Sequence, residues 1–103
     1  MEHPDPAREV AIIALRAPEV GERLARQVAA ATESIRAVGL YKPPGVAETI
    51  DWARALTLLG DDELVTEHVE ATLGTLLKYR EDQNRVRDHD LHALVAGARA
   101  AHA

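Results

Sequence analysis

The sequence predicts an all-α fold, a small bundle of four or five helices that forms one domain over residues 1–103. Apolar residues recur at spacings of three and four, which is the period of one helix face. The chain is rich in alanine and only 3% aromatic, whereas strands favour aromatic and β-branched residues. Glycine and proline separate the apolar segments at intervals that suit short helices with short connections.

The first helix is predicted from Pro6 to about Arg16, after an extended lead-in over residues 1–5. Asp5 is a suitable N-cap, and proline is favoured at the first helical position. Because this helix is apolar on nearly every side, we expect it to have neighbours on more than one face.

The second helix is predicted from about Pro18 to Val38, since Ala17-Pro18 ends the first helix and Gly39 suits the C-terminal stop. Its apolar stripe comprises Val20, Leu24, Val28, Ala31, Ile35 and Val38. Two pairs spaced by four residues are expected to be ion pairs on the solvent face: Glu19 with Arg23, and Glu22 with Arg26.

The third helix is predicted from about Val46 to Leu59, between Lys42-Pro43-Pro44-Gly45 and Gly60. The prolines fix φ at the entry, and glycine is a permissive residue at a helix start. Trp52 is the single tryptophan, and we expect it to anchor the core. The alternative is that it marks a docking face, where tryptophan is enriched.

A fourth helix is predicted to begin with Thr66 as its N-cap and to enter the charged run from Lys78 to Asp90. Its inward residues are Val69, Leu73, Leu76 and Leu77. Asp88 or Asp90 is a suitable cap for a last helix, which carries Leu91, Leu94, Val95 and Ala98.

The composition excludes several classes of function. The formal net charge of −5 argues against nucleic acid as a partner. The longest apolar run, from Val10 to Leu15, is far too short to span a bilayer, so no membrane partner is expected. The chain has no cysteine, which is compatible with a reducing compartment. We expect a cytoplasmic protein.

The sequence contains no motif for catalysis. Ser34, the only serine, is not in a Gly-x-Ser-x-Gly turn, and no glycine-rich phosphate-binding loop is present. His89 and His92 are three residues apart and would share a metal ion on one helix, but no third ligand has a fixed spacing to them. We therefore expect no catalytic residue, metal site or cofactor in this chain alone.

Lys78, Arg80, Arg85 and Arg87 form a basic cluster in an otherwise acidic chain. One interpretation is a helix surface whose charges are paired, with Glu81, Asp82 and Asp88 as the partners. The other is a contact site for an acidic protein surface or a phosphate group.

Three segments, in the same order, resemble the C-terminal helical lid of MoxR-type AAA+ ATPases. The most specific is Lys42 to Ala53, with the sequence Lys-Pro-Pro-Gly-Val-Ala-Glu-Thr-Ile-Asp-Trp-Ala. The stretch from Leu73 to Gln83 is similar to a later part of the same lid. The opening from Pro4 to Ile13 is similar to the segment that follows the last strand of the ATPase core.

The resemblance implies an upstream α/β core that carries Walker A and Walker B motifs, a sensor and an arginine finger, none of them in this sequence. That core would bind ATP and Mg²⁺. Residues 1–5 would lead in from that core. The lid would couple ATP binding and hydrolysis in the core to subunit packing in a homo-oligomeric ring. The implied activity is chaperone-like remodelling or maturation of a client protein, with a von Willebrand A domain protein as partner.

The resemblance also implies which residues approach the nucleotide: Gly45, Val46, Ala47, Glu48 and Thr49. A sensor arginine of the family would align with Ala47, and the next arginine along this chain is Arg54. Glu48 would repel a triphosphate unless a metal ion or water lay between them.

Two other functions are alternatives to the lid, and the second is disfavoured. A free-standing helical module would bind a partner protein through the first helix or the basic cluster. A transcriptional regulator would need a basic recognition helix, which this acidic chain does not offer.

Overall fold

The computed structural model describes residues 5–102, and this part of the chain forms six α-helices and no strand. In chain order they are α1 (Pro6–Arg16), α2 (Glu22–Arg36), α3 (Val46–Leu58), α4 (Thr66–Leu76), α5 (Arg80–Asp88) and α6 (Leu91–Ala101). The all-α prediction is confirmed, although there are six helices rather than four or five. Residues 1–4 of the predicted lead-in lie outside the described range. None of the described helices has the length and apolar character that crossing a bilayer requires.

The additional helix arises because the chain is extended between α4 and α5, with φ −118° and ψ 124° at Leu77 and φ −103° and ψ 134° at Tyr79. The prediction of one helix continuing into the charged run was wrong. A continuous helix would carry the inward face of α4 on to Arg80 and Arg87, and arginine is almost never buried without a partner. The break leaves both arginines exposed and turns Val86 inward instead.

α2 lies at the centre of the bundle and contacts α1, α3 and α6. Its apolar stripe is buried from Val20 to Ile35, as predicted, while Val38 is partly exposed. The helix itself is shorter than predicted, because Gly21 is its N-cap and it ends at Arg36. Gly39 then takes a φ of 89°, which favours glycine and reverses the chain.

One of the two predicted ion pairs on α2 is present. Glu22 contacts Arg26 one turn later, whereas Glu19 lies in the turn before the helix and cannot face Arg23. The Glu19 carboxylate instead lies 3.0 Å from Nε of Arg54 on α3. The prediction of a Glu19–Arg23 pair was therefore wrong, because it depended on a helix that began at residue 18.

Two of the predicted helix caps are confirmed. The Asp5 carboxylate accepts a hydrogen bond of 2.9 Å from the backbone N–H three residues later, and Asp90 does the same for α6 at 3.0 Å. Thr66 was predicted to cap α4, but it is the first residue of that helix and Val65 holds the cap position. These caps satisfy N–H groups that the first turn of a helix leaves unpaired.

Trp52 lies in the core with no exposed surface, so the core interpretation is confirmed. Its indole N–H donates a hydrogen bond of 2.8 Å to Thr72 Oγ1 of α4, which satisfies the one polar atom of the ring. α1 packs against α2 and α3 and buries Ile13, while Leu15 at its far end is 81% exposed. The buried face of α1 also contains Glu9, a charged residue with only 1% exposure.

Candidate functional site

The residues that the resemblance points to lie at the first turn of α3, which follows the loop of residues 37–45. Gly45 is the N-cap, and its backbone N–H donates to Glu48 Oε1 at 2.8 Å. The Thr49 hydroxyl donates to the Gly45 carbonyl at 2.9 Å, and Thr49 is fully buried. Val46 is partly exposed and Ala47 is exposed. We refer to Gly45–Thr49 as the α3 start.

Arg36, the last residue of α2, lies beneath the α3 start and makes four contacts. Its Nη1 and Nη2 donate to Glu9 Oε1 and Oε2 at 2.9 and 2.8 Å. Its Nε donates to the Pro44 carbonyl at 2.9 Å, and Nη2 also reaches Thr49 Oγ1 at 3.4 Å. One guanidinium therefore joins α1, α2, the loop before α3 and α3 itself.

The pair of Glu9 and Arg36 is almost fully withdrawn from water, with side-chain exposures of 1% and 10%. A bidentate arginine–carboxylate pair is the geometry that best offsets the loss of hydration. The sequence analysis did not find this pair. The available signal was Glu9, the one acidic residue on the inward face of an otherwise apolar helix.

The loop of residues 37–45 is also held from the side of α5. The Asp82 carboxylate, 2% exposed, accepts from the backbone N–H groups of Tyr41 and Lys42 at 2.8 and 2.9 Å. Arg85 Nη1 donates to the Gly39 carbonyl at 3.0 Å. The assignment of Asp82 as a partner of the basic cluster was wrong, because its two oxygens bind the loop backbone instead.

The α3 start already holds an anion of its own. The positive end of a helix dipole attracts negative charge, and Glu48 supplies it through the contact with the Gly45 N–H. A phosphate group at this position would have to displace that carboxylate and would be repelled by it. The exposed residue Ala47 instead faces a groove of about 380 Å³ between α1 and α3, which Arg16, Ile50 and Arg54 also line.

The two arginine side chains of this groove differ in whether they have binding partners. Arg54 is held, because Nη2 donates to the Arg16 carbonyl and Nε lies 3.0 Å from a Glu19 oxygen. The Arg16 guanidinium has no hydrogen-bond or ion-pair partner within residues 5–102. The sequence analysis missed Arg16, although its place in the last turn of α1 could be read from the predicted helix end. It is the cation in the groove that remains able to bind an anion.

The basic cluster divides between two faces of α5. Lys78, Arg80 and Arg87 line a shallow groove of about 420 Å³ together with Gln83 and Asn84, which we call the basic groove. Arg85 lies on the other side and contacts Gly39, as described above. The structure therefore brings three of the four predicted residues together in one groove and places Arg85 outside it.

Arg85 lines a second groove, of about 620 Å³. Tyr41 and Tyr79 form its aromatic wall and meet edge to face, with ring centroids 5.2 Å apart and planes at 88°. Their exposures are 82% and 43%. This groove lies directly over the loop that Asp82 anchors.

The histidine pair weighed as a metal site is divided by a helix boundary. His89 is the C-cap of α5, and His92 lies in the first turn of α6. His92 Nδ1 is 3.3 Å from Thr66 Oγ1. Within residues 5–102, no three or more histidine, aspartate or glutamate side chains are grouped so as to hold a metal ion.

No protein-family model, curated protein or solved structure matches this chain.

Proposed function

We propose that this chain acts as the helical lid of a MoxR-type AAA+ ATPase. In that role it couples ATP binding and hydrolysis in an α/β core to subunit packing, and so to the remodelling or maturation of a client protein. The observation that carries the proposal is the convergence of the three resembling segments on one loop. Glu9 of the first segment binds Arg36, which also donates to Pro44 and Thr49 of the second segment. Asp82 of the third segment accepts from the loop backbone at residues 41 and 42.

This convergence has a mechanical consequence. Because Arg36 joins α1 to α3 through buried polar contacts, the two helices and the loop between α2 and α3 move as one body. A lid that couples two sites must transmit a displacement without deforming, since coupling depends on a difference in affinity between two whole arrangements. The exposed side chains of Leu15 and Leu58, 81% and 88% accessible, provide an apolar contact for the core on the same two helices.

The nucleotide contact is assigned to Arg16 rather than to the α3 start. The Gly45 N–H already donates to the Glu48 carboxylate, so a phosphate group does not fit there. The groove beside Ala47 can hold a phosphate group, which Arg16 would bind, because the Arg16 guanidinium has no partner in the described residues. ATP and Mg²⁺ would be bound by the core, and this chain would contribute one cation and no catalytic group. Ring assembly and a von Willebrand A domain partner belong to the same proposal.

The test combines this chain with the AAA+ core encoded in the same genome and measures the affinity of the core for ATP and for ADP. The chain alone should bind neither nucleotide, and its addition should tighten ATP binding. Arg16→Ala should abolish most of that gain, whereas Lys42→Ala, which removes an exposed cation outside the groove, should not. A core whose affinity is the same with and without the chain would contradict the proposal.

A free-standing interaction module remains the second candidate, and the basic groove is the observation that favours it. The discriminating observation is the reading frame upstream of this chain. Walker A and Walker B motifs in frame would support the lid, and a separate gene without them would support the module.

A further inference from the structure

The cations without an acidic partner are concentrated in one segment of this acidic protein. Arg23, Arg26, Arg36, Arg54 and Arg99 each lie within 4.0 Å of a carboxylate oxygen. In the described part of the chain, none of the cations between residues 78 and 87 does so. Four of the seven described cations without such a contact therefore lie within ten residues of each other, and three of these four line the basic groove. The other three, Arg8, Arg16 and Lys42, are spread over the rest of the chain.

The basic groove is lined by cations and amides and by no carboxylate. Arg80, Asn84 and Arg87 are spaced by four and three residues and so share one face of α5, with Lys78 just before it. Arg87 Nη1 donates to Asn84 Oδ1 at 3.4 Å, which orders the arginine and leaves the amide N–H₂ group of Asn84 free to donate. Gln83 is fixed by its bond of 3.0 Å to the Leu77 carbonyl.

We propose that the basic groove binds an acidic segment of a partner protein. Arg80 and Arg87 are seven residues apart, which corresponds to about 10 Å along the helix at 1.5 Å per residue. Three residues of an extended peptide cover about the same length, so two of its carboxylates can meet the two arginines while Lys78 meets a third. Arginine binds carboxylates in a bidentate geometry that suits this arrangement.

The same observations disfavour nucleic acid. A specific nucleic-acid interface neutralises many phosphates over a large area, whereas this groove offers three cations on a chain with a net charge of −5. The inference does not depend on the lid proposal, because it concerns the face of α5 and not the groove between α1 and α3.

The experiment measures fluorescence polarisation of a labelled ten-residue peptide with four aspartate or glutamate residues, and of the same peptide with asparagine and glutamine in their place. The test variant combines Lys78→Gln, Arg80→Gln and Arg87→Gln. The control variant changes the net charge equally and combines Arg8→Gln, Arg26→Gln and Lys42→Gln, all of them cations outside the basic groove and outside the groove that Arg16 lines. Circular dichroism establishes that both variants are folded.

We expect the acidic peptide to bind the original chain and the control variant with similar affinity, and the test variant at least about tenfold more weakly, since exposed ion pairs each contribute modestly. Binding should weaken as NaCl rises from 50 to 200 mM. Equal loss in both variants, equal binding of the neutral peptide, or no binding would overturn the proposal. So would displacement by inorganic phosphate at matched ionic strength, which indicates a small-anion site, or tighter binding of a single-stranded oligonucleotide.

Discussion

Removal of either partner of the buried Glu9–Arg36 pair should destabilise the protein severely. In Glu9→Ala the guanidinium of Arg36, 10% exposed, loses both of its carboxylate contacts at 2.8 and 2.9 Å. Breaking one side of a buried ion pair costs about 3–5 kcal/mol, because the remaining charge is left in a medium of low polarity. A domain of this size is stable by about 5–15 kcal/mol, so the substitution removes a large share of the total.

The double variant Glu9→Leu/Arg36→Met should be much more stable than the sum of the two single losses predicts. Replacing both charges with apolar groups of similar size leaves no charge buried and is often nearly neutral. Some loss remains, since Arg36 also donates to the Pro44 carbonyl at 2.9 Å. The two single losses should therefore be strongly non-additive, with a coupling energy of at least about 2 kcal/mol.

The assay is urea denaturation followed through the fluorescence of Trp52, the only tryptophan and fully buried in the folded state. Glu22→Ala is the matched control, because it breaks the exposed pair with Arg26 and should cost less than about 1 kcal/mol. Additive single losses, or a loss below about 1 kcal/mol in Glu9→Ala, would refute the claim that this pair holds α1 to α3.

Two further predictions concern the loop of residues 37–45. Asp82→Asn leaves a single side-chain oxygen for the N–H groups of Tyr41 and Lys42, so it should lower the free energy of unfolding by about 1–3 kcal/mol. Hydrogen exchange at those two amides should become faster. Unchanged exchange would count against Asp82 as the anchor of the loop. Gly39→Ala forces alanine to a φ of 89° and should lower stability by about 1 kcal/mol, whereas Gly97→Ala on the exposed face of α6 should raise it slightly. Thermal melts compare the two alanines, and equal effects would contradict the backbone argument.

The sequence was sufficient for those parts of the fold that local signals determine. The cap Asp5 and the stop Gly39 follow from the chemistry of one or two residues. Trp52 was placed in the core by size and helical register alone. The break at residues 77–79 was not predicted, because leucine and tyrosine carry no turn signal. The one indication was that a continuous helix would place charged residues on its inward face.

The polar network around the α3 start could not be read from local patterns. Glu9 and Arg36 are 27 residues apart, and Asp82 is 41 residues from Tyr41. Charged residues are ordinarily exposed, so the sequence analysis placed Asp82 on the surface with the basic cluster. The face of α5 on which Arg85 lies could not be predicted either, because the break before α5 sets the direction of that helix.

The central claim is tested most directly by ATP hydrolysis. The measurement is the steady-state rate of phosphate release by the AAA+ core of the same genome, by this chain, and by an equimolar mixture of the two. The account predicts no hydrolysis by this chain alone and a higher rate for the mixture than for the core. Hydrolysis by this chain alone, or a mixture no faster than the core, would contradict the account.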